Sequence, residues 1–264
     1  MSVTLRRPWL EMRLPRLMRV LSWAPYGAGY RETDLILWRE VRNADLGPDF
    51  DVEPWFAAEM ALNKNAVGML TSRDVGGWRE ARAVVEGVEA HCVATAGLSN
   101  AESVGRRLPY HSADYGTINL GIWVGAGLSE VAQLEAMSVV VQARTAAVMA
   151  AGLELATGIA TGTGTDCVAL ACDAGDGRYA GLHTAVGEAL GAAVRGAVGR
   201  ACSDWLIWRD AERVRRGLSE GRATLISCVS VPSGAKIRMR LSVVVTANQP
   251  GPVVKASAVA PAGS

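Results

Sequence analysis

The sequence predicts an α+β fold, a layered sandwich of a mixed or antiparallel sheet with two long helices; the alternative is a doubly wound α/β arrangement. Two observations predict it. Strand-like runs cluster, with only two long stretches of helical periodicity, around 129–151 and 183–204, so a regular βαβ alternation is missing. The apolar half of the composition is mostly Ala, Val and Leu, with Phe only at Phe50 and Phe56, and such small side chains suit close packing of helices on a sheet.

Taken in order, "RVLSWAP" and "DLILWREV" read as short strands joined by the reversal "YGAGY". "EPWFAAEMALNKN" reads as a helix with Trp55, Ala58 and Leu62 on one face, and "AVGMLTS" returns as a buried strand. "AHCVATAGLSN" is a strand ending in a loop, and "AESVGRRLPYHSADY", with Tyr110 and His111, lacks periodicity and is placed on the surface. "GTINLGIWV" is the clearest strand. Ser129 then caps a helix with Glu130 in its first turn and Val131, Leu134, Met137, Val141 and Val148 at helical spacing. Arg144 on this helix reads as a solvent-facing residue or a carboxylate partner. "LATGIATG" and "DCVALAC" flank a turn as strands. The second long helix carries Leu182, Val186, Leu190, Val194 and Val198 on one face. Residues 1–204 form one expected domain. Residues 205–264 form an extension of helix, strands and a loose tail, with Trp205 and Trp208 packing it.

A formal charge of +1 gives no electrostatic footprint for nucleic acid, so no nucleic-acid partner is expected. The N-terminal segment alternates charged with apolar residues, unlike a signal peptide, and no segment has the apolar length of a membrane span; the expectation is a soluble cytoplasmic protein without a membrane partner. The five cysteines show no CxxC spacing and read as free thiols. His91, His111 and His183 are the only histidines, so no protein-bound metal is expected.

The stretch Thr161–Asp166, "TGTGTD", admits three readings. It lacks the Lys of a phosphate-binding P-loop and does not open a helix, which sets that reading aside. A tight turn in which Asp166 accepts backbone N–H bonds is the structural reading. In the functional one, glycines let successive N–H groups converge, threonines add hydroxyl donors, and Asp166 stands at the start of the next strand. No GxSxG, HExxH or catalytic-cysteine signature occurs.

Five pieces stand in order: "GLSN" at 97–100, "GTINL" at 116–120, "ARTAAV" at 143–148, "ATGTGTD" at 160–166 and "HTAVGE" at 183–188. This ordered set, with "VLSWA" and "VGMLTS" upstream, resembles the adenosylcobinamide amidohydrolase family over about residues 18–203. The chain departs from the family pattern at Trp38, at Gln142 and Arg144, and at Leu182. The resemblance implies hydrolysis of the amide joining the aminopropanol arm to the corrin ring of adenosylcobinamide, giving adenosylcobyric acid in corrinoid salvage for cobalamin biosynthesis. It implies no cofactor, the cobalt arriving inside the corrinoid substrate. It also implies Asp166 and His183 as catalytic residues acting through water. Asn100, Asn119, Thr161, Gly162, Thr163, Gly164, Thr165, Thr184 and Glu188 are the implied substrate contacts, Glu188 also being placed to orient His183. Two other functions stay open: a non-catalytic corrinoid carrier, and an amidase using Thr161, Thr163 or Thr165 as nucleophile. So does the choice between monomer and homo-oligomer.

Overall fold

The computed structural model describes residues 1–42, 50–107 and 115–215 with their side chains, and the backbone of 222–230, 236–244 and 253–258. Tyr110 and His111 lie outside the described residues. The chain divides into two compact units, Met1–Ser203 and Asp204–Ser264.

The first unit runs β1 (Ser2–Arg6), β2 (Trp9–Ser22), β3 (Gly29–Glu40), α1 (Val52–Glu59), β4 (Val67–Thr71), β5 (Arg79–Val85), β6 (Val88–Ala96), β7 (Ala101–Glu102), β8 (Ile118–Leu128), α2 (Glu130–Ala150), β9 (Glu154–Leu155), β10 (Gly158–Ile159), β11 (Gly162–Thr163), β12 (Cys167–Ala174) and the greater part of α3 (Ala185–Arg215). Its main sheet has the order β4-β3-β2-β12-β8-β6-β5, with β1 added on β2. Only β3–β4 and β12–β8 pair in parallel, so the sheet is mixed and the fold is α+β as the clustering of strands predicts.

β2 is longer than the run around "RVLSWAP" suggests. Leu10, Met12 and Leu14 point inward between outward Glu11 and Arg13, a period of two that marks a half-buried strand from Trp9 onward. Its pairing with β3 shifts register between Arg13 and Met18, across Pro15, which has no N–H to give to a ladder. β5, not among the strands expected from sequence, shows the same alternation at the sheet edge, where it pairs with β6.

The sheet folds over itself. Trp38 of β3 is fully buried against β8, although two strands separate them in the sheet order. A Cβ at Gly121 would lie 2.5 Å from its ring, so Gly121 is the hollow that Trp38 fills. The departure at Trp38 is therefore a matter of core volume. Met12, Val20, Met69, Ala169 and Ala171 complete this inner core.

The opposite face of β8 and β12 is covered by helices. Ser129 caps α2 by accepting from the Ala132 N–H, as its position before Glu130 predicts. The buried face of α2 includes Ala132, Ala136, Met137, Val140, Ala143, Ala147 and Val148; Met137 and Val148 are buried as expected and Val141 is half-buried, whereas Val131 and Leu134 are exposed, so the N-terminal half of the expected stripe is rotated from the real one. In α1 the buried residue is Phe56, and Leu62, beyond the helix, is 96% exposed. Leu190, Val194 and Val198 of α3 are buried as expected, while Leu182 is exposed. "LATGIATG" forms only the short pairs β9–β10 and β7–β11.

In the second unit α3 continues to Arg215, and β13 (Arg222–Ser230), β14 (Lys236–Val244) and β15 (Val253–Ala258) form an antiparallel sheet in that order. The segment read as a loose tail thus holds a strand. Trp205 and Trp208 have ring centroids 6.4 Å apart.

His91 on β6 is buried, with Nε2 2.7 Å from the Glu80 carboxylate and Nδ1 unpartnered. Burial, opposed by the Glu80 hydrogen bond, holds its imidazole below the ordinary histidine value of 6.5. The fold thus disfavours the charged form, and the stability this confers is complete above pH 6.5 and lost as pH falls through the depressed folded value. The melting temperature is expected to fall between pH 7 and pH 5, and less steeply in His91→Gln; equal slopes in thermal melts of both proteins would show that another group controls this transition.

Candidate active site

A cleft of about 370 Å³ opens where several strand ends of the first unit meet. Its walls include Pro25 from the β2–β3 loop, Val41, Thr71 and Ser72 from the ends of β3 and β4, Asn100 from the loop after β6, Gly116 and Thr117 before β8, and Thr165 and Cys167 before and in β12. Strand ends are where polar groups converge without leaving ladder N–H groups buried and unpaired.

The motif Thr161–Asp166 forms one side of it. Gly162 and Thr163 pair with Glu102 and Ala101, directly after Asn100, and the Thr161 hydroxyl accepts from the Val104 N–H, so motif and Asn100 loop are one unit. Alternation along the strand then separates its residues. Thr165 and Cys167 reach the cleft, while Asp166 turns to the helix side.

There the Asp166 side chain is 5% exposed and surrounded by donors. Its Oδ1 accepts from the Ile118 N–H at 3.0 Å and from the Thr163 hydroxyl; its Oδ2 accepts from the Thr163 N–H at 3.0 Å and lies 3.2 Å from Arg144 Nη1 of α2. The turn therefore folds donors around its own carboxylate, as the structural reading of the motif expects. Burial raises the Asp166 carboxyl above the ordinary aspartate range, with Arg144 foremost among the groups pulling it back. Arg144 is thus a carboxylate partner, its side chain 13% exposed.

Two threonines bind the starts of the parallel strands β8 and β12 to each other. The Thr165 hydroxyl donates to the Gly116 carbonyl at 2.7 Å, and the Thr117 hydroxyl lies 2.8 Å from the Thr165 carbonyl and 3.0 Å from Asn119 Oδ1. Asn119 is fully buried, and its Nδ2 donates to the Leu70 carbonyl of β4, so it ties β8 to β4 beneath the cleft. Neither hydroxyl nor Asn119 announces this cross-tie in the sequence, because the partners are backbone carbonyls about fifty residues away.

Asn100 differs. It lines the cleft, and its Oδ1 is buried with no hydrogen-bond partner among the described residues, pressed so close to Gly116 that a Cβ there would come within 2.7 Å. Thr95 Oγ1, opposite Asn119 in the β6–β8 register, is likewise buried and unpartnered. Unpaired buried polar atoms cost about 1–3 kcal/mol each, and functional sites are where folds retain them. Thr95 has no signal in the sequence, because nothing in "VATAG" distinguishes it from a core threonine.

The structure brings Asn100, Asn119 and Thr161–Asp166 together, and it does not bring His183, Thr184 and Glu188 to them. A helix that follows a strand on one sheet face must start at that strand's far end. The charge of Asp166 is felt at Cys202, late in α3, whereas His183 precedes the first turn; 17 residues of helix span about 25 Å. Thr184 caps α3 by accepting from the Gly187 N–H, and Glu188 and Leu182 line a separate groove between α2 and α3. His183 is exposed at that far end. His183→Ala is accordingly expected to keep turnover within about twofold, in the manner of surface substitutions remote from a site; a loss of 10²-fold in steady-state kinetics would restore it to the chemistry.

Cys167 is the thiol at the cleft wall, and burial with the neighbouring Asp166 charge pushes it up to about 11. Cys92, Cys172 and Cys202 are buried free thiols. Among the described residues no group of three or more His, Cys, Asp or Glu side chains is placed to hold a metal ion, and no helix is long and apolar enough to cross a membrane.

A comparison with curated proteins finds no match. The profile of a family described as adenosylcobinamide amidohydrolase (CbiZ) matches residues 1–210, which take in every strand and turn around the cleft. With four-fifths of its length matched, including the whole of the first unit, the chain belongs to the adenosylcobinamide amidohydrolase family and is an enzyme acting on an amide bond.

Proposed function

We propose that the enzyme hydrolyses the amide joining the aminopropanol arm to the corrin ring of adenosylcobinamide, releasing aminopropanol and adenosylcobyric acid for corrinoid salvage. The observation that carries this reading is the family match over residues 1–210, and the buried, unpartnered Oδ1 of Asn100 at the wall of the cleft supports it. A primary amide pairs with another amide through one donor and one acceptor, and a corrin periphery is a ring of amide side chains. A cleft of about 370 Å³ suits the arm and its amide, with the macrocycle lying across the mouth.

Hydrolysis joins a water oxygen to the carbonyl carbon, breaks the C–N bond and gives the departing amine a proton. Water is the nucleophile in this reading. A thiol with a pKa of about 11 is ionised to roughly one part in 10⁴ at pH 7, and the thiolate is the reactive form. Of the three motif threonines, Thr161 is engaged with Glu102 and Val104, Thr163 with Asp166, and Thr165 alone lines the cleft. Asp166 acts through the groups it holds, keeping Thr163, Ile118 and the Thr165 edge in register. Cobalt remains within the substrate.

Mass spectrometry of adenosylcobinamide incubated with the full chain tests this directly, the expected products being aminopropanol and the cobyric acid. An unchanged substrate, or cleavage of a different amide, would overturn it. A covalent acyl adduct on Thr165 or Cys167 would replace water as nucleophile. Asn100→Ala is expected to lower kcat/KM about 10- to 100-fold with an unchanged or higher melting temperature, since a buried unpaired group is removed. Lost stability with intact kcat/KM would make Asn100 a structural amide.

A further inference from the structure

The groove between α2 and α3 shares no lining residue with the cleft and has its own composition. It measures about 530 Å³ and is walled by Gln142 and Ala146 on α2 and by Glu188, Gly191, Ala192 and Arg195 on α3, over a floor that includes Val139, Ala143 and Gly187. The outward face of α3 is small at its centre: a Cβ at Gly191 would meet nothing within 4 Å, and Ala192 is exposed. Small residues let two helix backbones approach closely.

Its charges decide what fits. Glu188 and Arg195 are both exposed, and neither forms an ion pair among the described residues. They stand seven residues apart, two helical turns, on the same face, with Gly191 and Ala192 midway. A face carrying opposite charges at equal distances on either side of a small centre is complementary to itself run in the opposite direction. An isologous two-fold contact has this property, each residue meeting its counterpart's opposite.

We infer that this face is a homodimer interface, in which α3 of a second copy packs antiparallel against α3 with the two-fold axis at Gly191 and Ala192. Glu188 then faces Arg195 of the second copy, and the reverse pair forms by symmetry. An unrelated partner would have no reason to match charges symmetrically about Gly191.

The test is sedimentation velocity on the full chain across micromolar concentrations. The expected species is a dimer, twice the 27.8 kDa chain. Ala192→Arg places a bulky charge on the axis and is expected to give a folded monomer whose melting temperature, unlike the parent's, does not depend on protein concentration. Glu188→Arg and Arg195→Glu each set like charges opposite each other twice per dimer and should raise the dimer dissociation constant at least about tenfold. The double charge swap restores opposite pairs and should return it to within a few-fold of the parent. A monomeric parent, a dimer indifferent to Ala192→Arg, or a double swap as weak as the single reversals would each overturn the proposal.

Discussion

Asp166→Asn is expected to reduce turnover by at least about 10²-fold and to lower the melting temperature by on the order of 10 °C. The Asn Oδ1 can still accept from Ile118 and Thr163. Its NH₂ group, however, takes the place of Oδ2 and presents a donor to two donors, the Thr163 N–H and the Arg144 guanidinium. Each buried donor left unsatisfied costs about 1–3 kcal/mol, and more for a charged one. Arg144, deep against the sheet, cannot swing to water without disturbing α2.

The loss of turnover follows from position. Thr165 and Cys167 flank Asp166 and line the cleft, and an ångström of misplacement is enough for a 10²-fold loss. The pH dependence of stability carries its own sign. The folded carboxyl is raised above its unfolded value of about 3.8, so ionisation of Asp166 works against the fold, and stability from this group declines as pH rises from that value through the raised one. The Asn variant loses this decline. Kinetics per folded molecule, with melts from pH 3 to 7, check both parts; a variant with normal turnover would remove Asp166 from any support of the site. Arg144→Met should destabilise similarly, and the double variant should cost less than the sum, as coupled pairs do.

The two motif glycines are expected to behave oppositely. A Cβ on Gly162 would sit 2.6 Å from Asp166 Oδ2, which is pinned by Arg144 and Thr163 and has nowhere to move. Gly162→Ala is therefore expected to cost about 1–3 kcal/mol as an overpacked site and to depress turnover as severely as Asp166→Asn. At Gly164 a Cβ would meet no atom within 4 Å, and the backbone is not left-handed, so Gly164→Ala should leave melting and turnover close to the parent. Parallel melts and initial rates of the two single variants decide it, and equal behaviour would mean that the motif glycines serve the conformation of the turn rather than the space beside Asp166.

The signals legible along the chain are local and periodic. The 3.6-residue repeat from Leu190 to Val198 marks the buried face of α3, and Ser129 before Glu130 marks the start of α2. The period of two in Leu10, Met12 and Leu14 is equally present, though Pro15 and the exposed Arg16 and Leu17 interrupt it. The order of five short motifs carries the family and with it the amide chemistry. Direction, by contrast, is set by the folded chain alone. The turn of "TGTGTD" is written in its glycines, but which side of the sheet Asp166 faces depends on the alternation of β12 and on Arg144 arriving from α2. The resemblance makes "HTAVGE" a partner for that turn, and sixteen residues lie between Asp166 and His183. The chain spends them running the length of β12 to the far end of the sheet before α3 turns back. Sequence proximity carries no sign for such travel: a strand advances about 3.3 Å per residue, so the residues that follow an active strand end are soon the ones farthest from it.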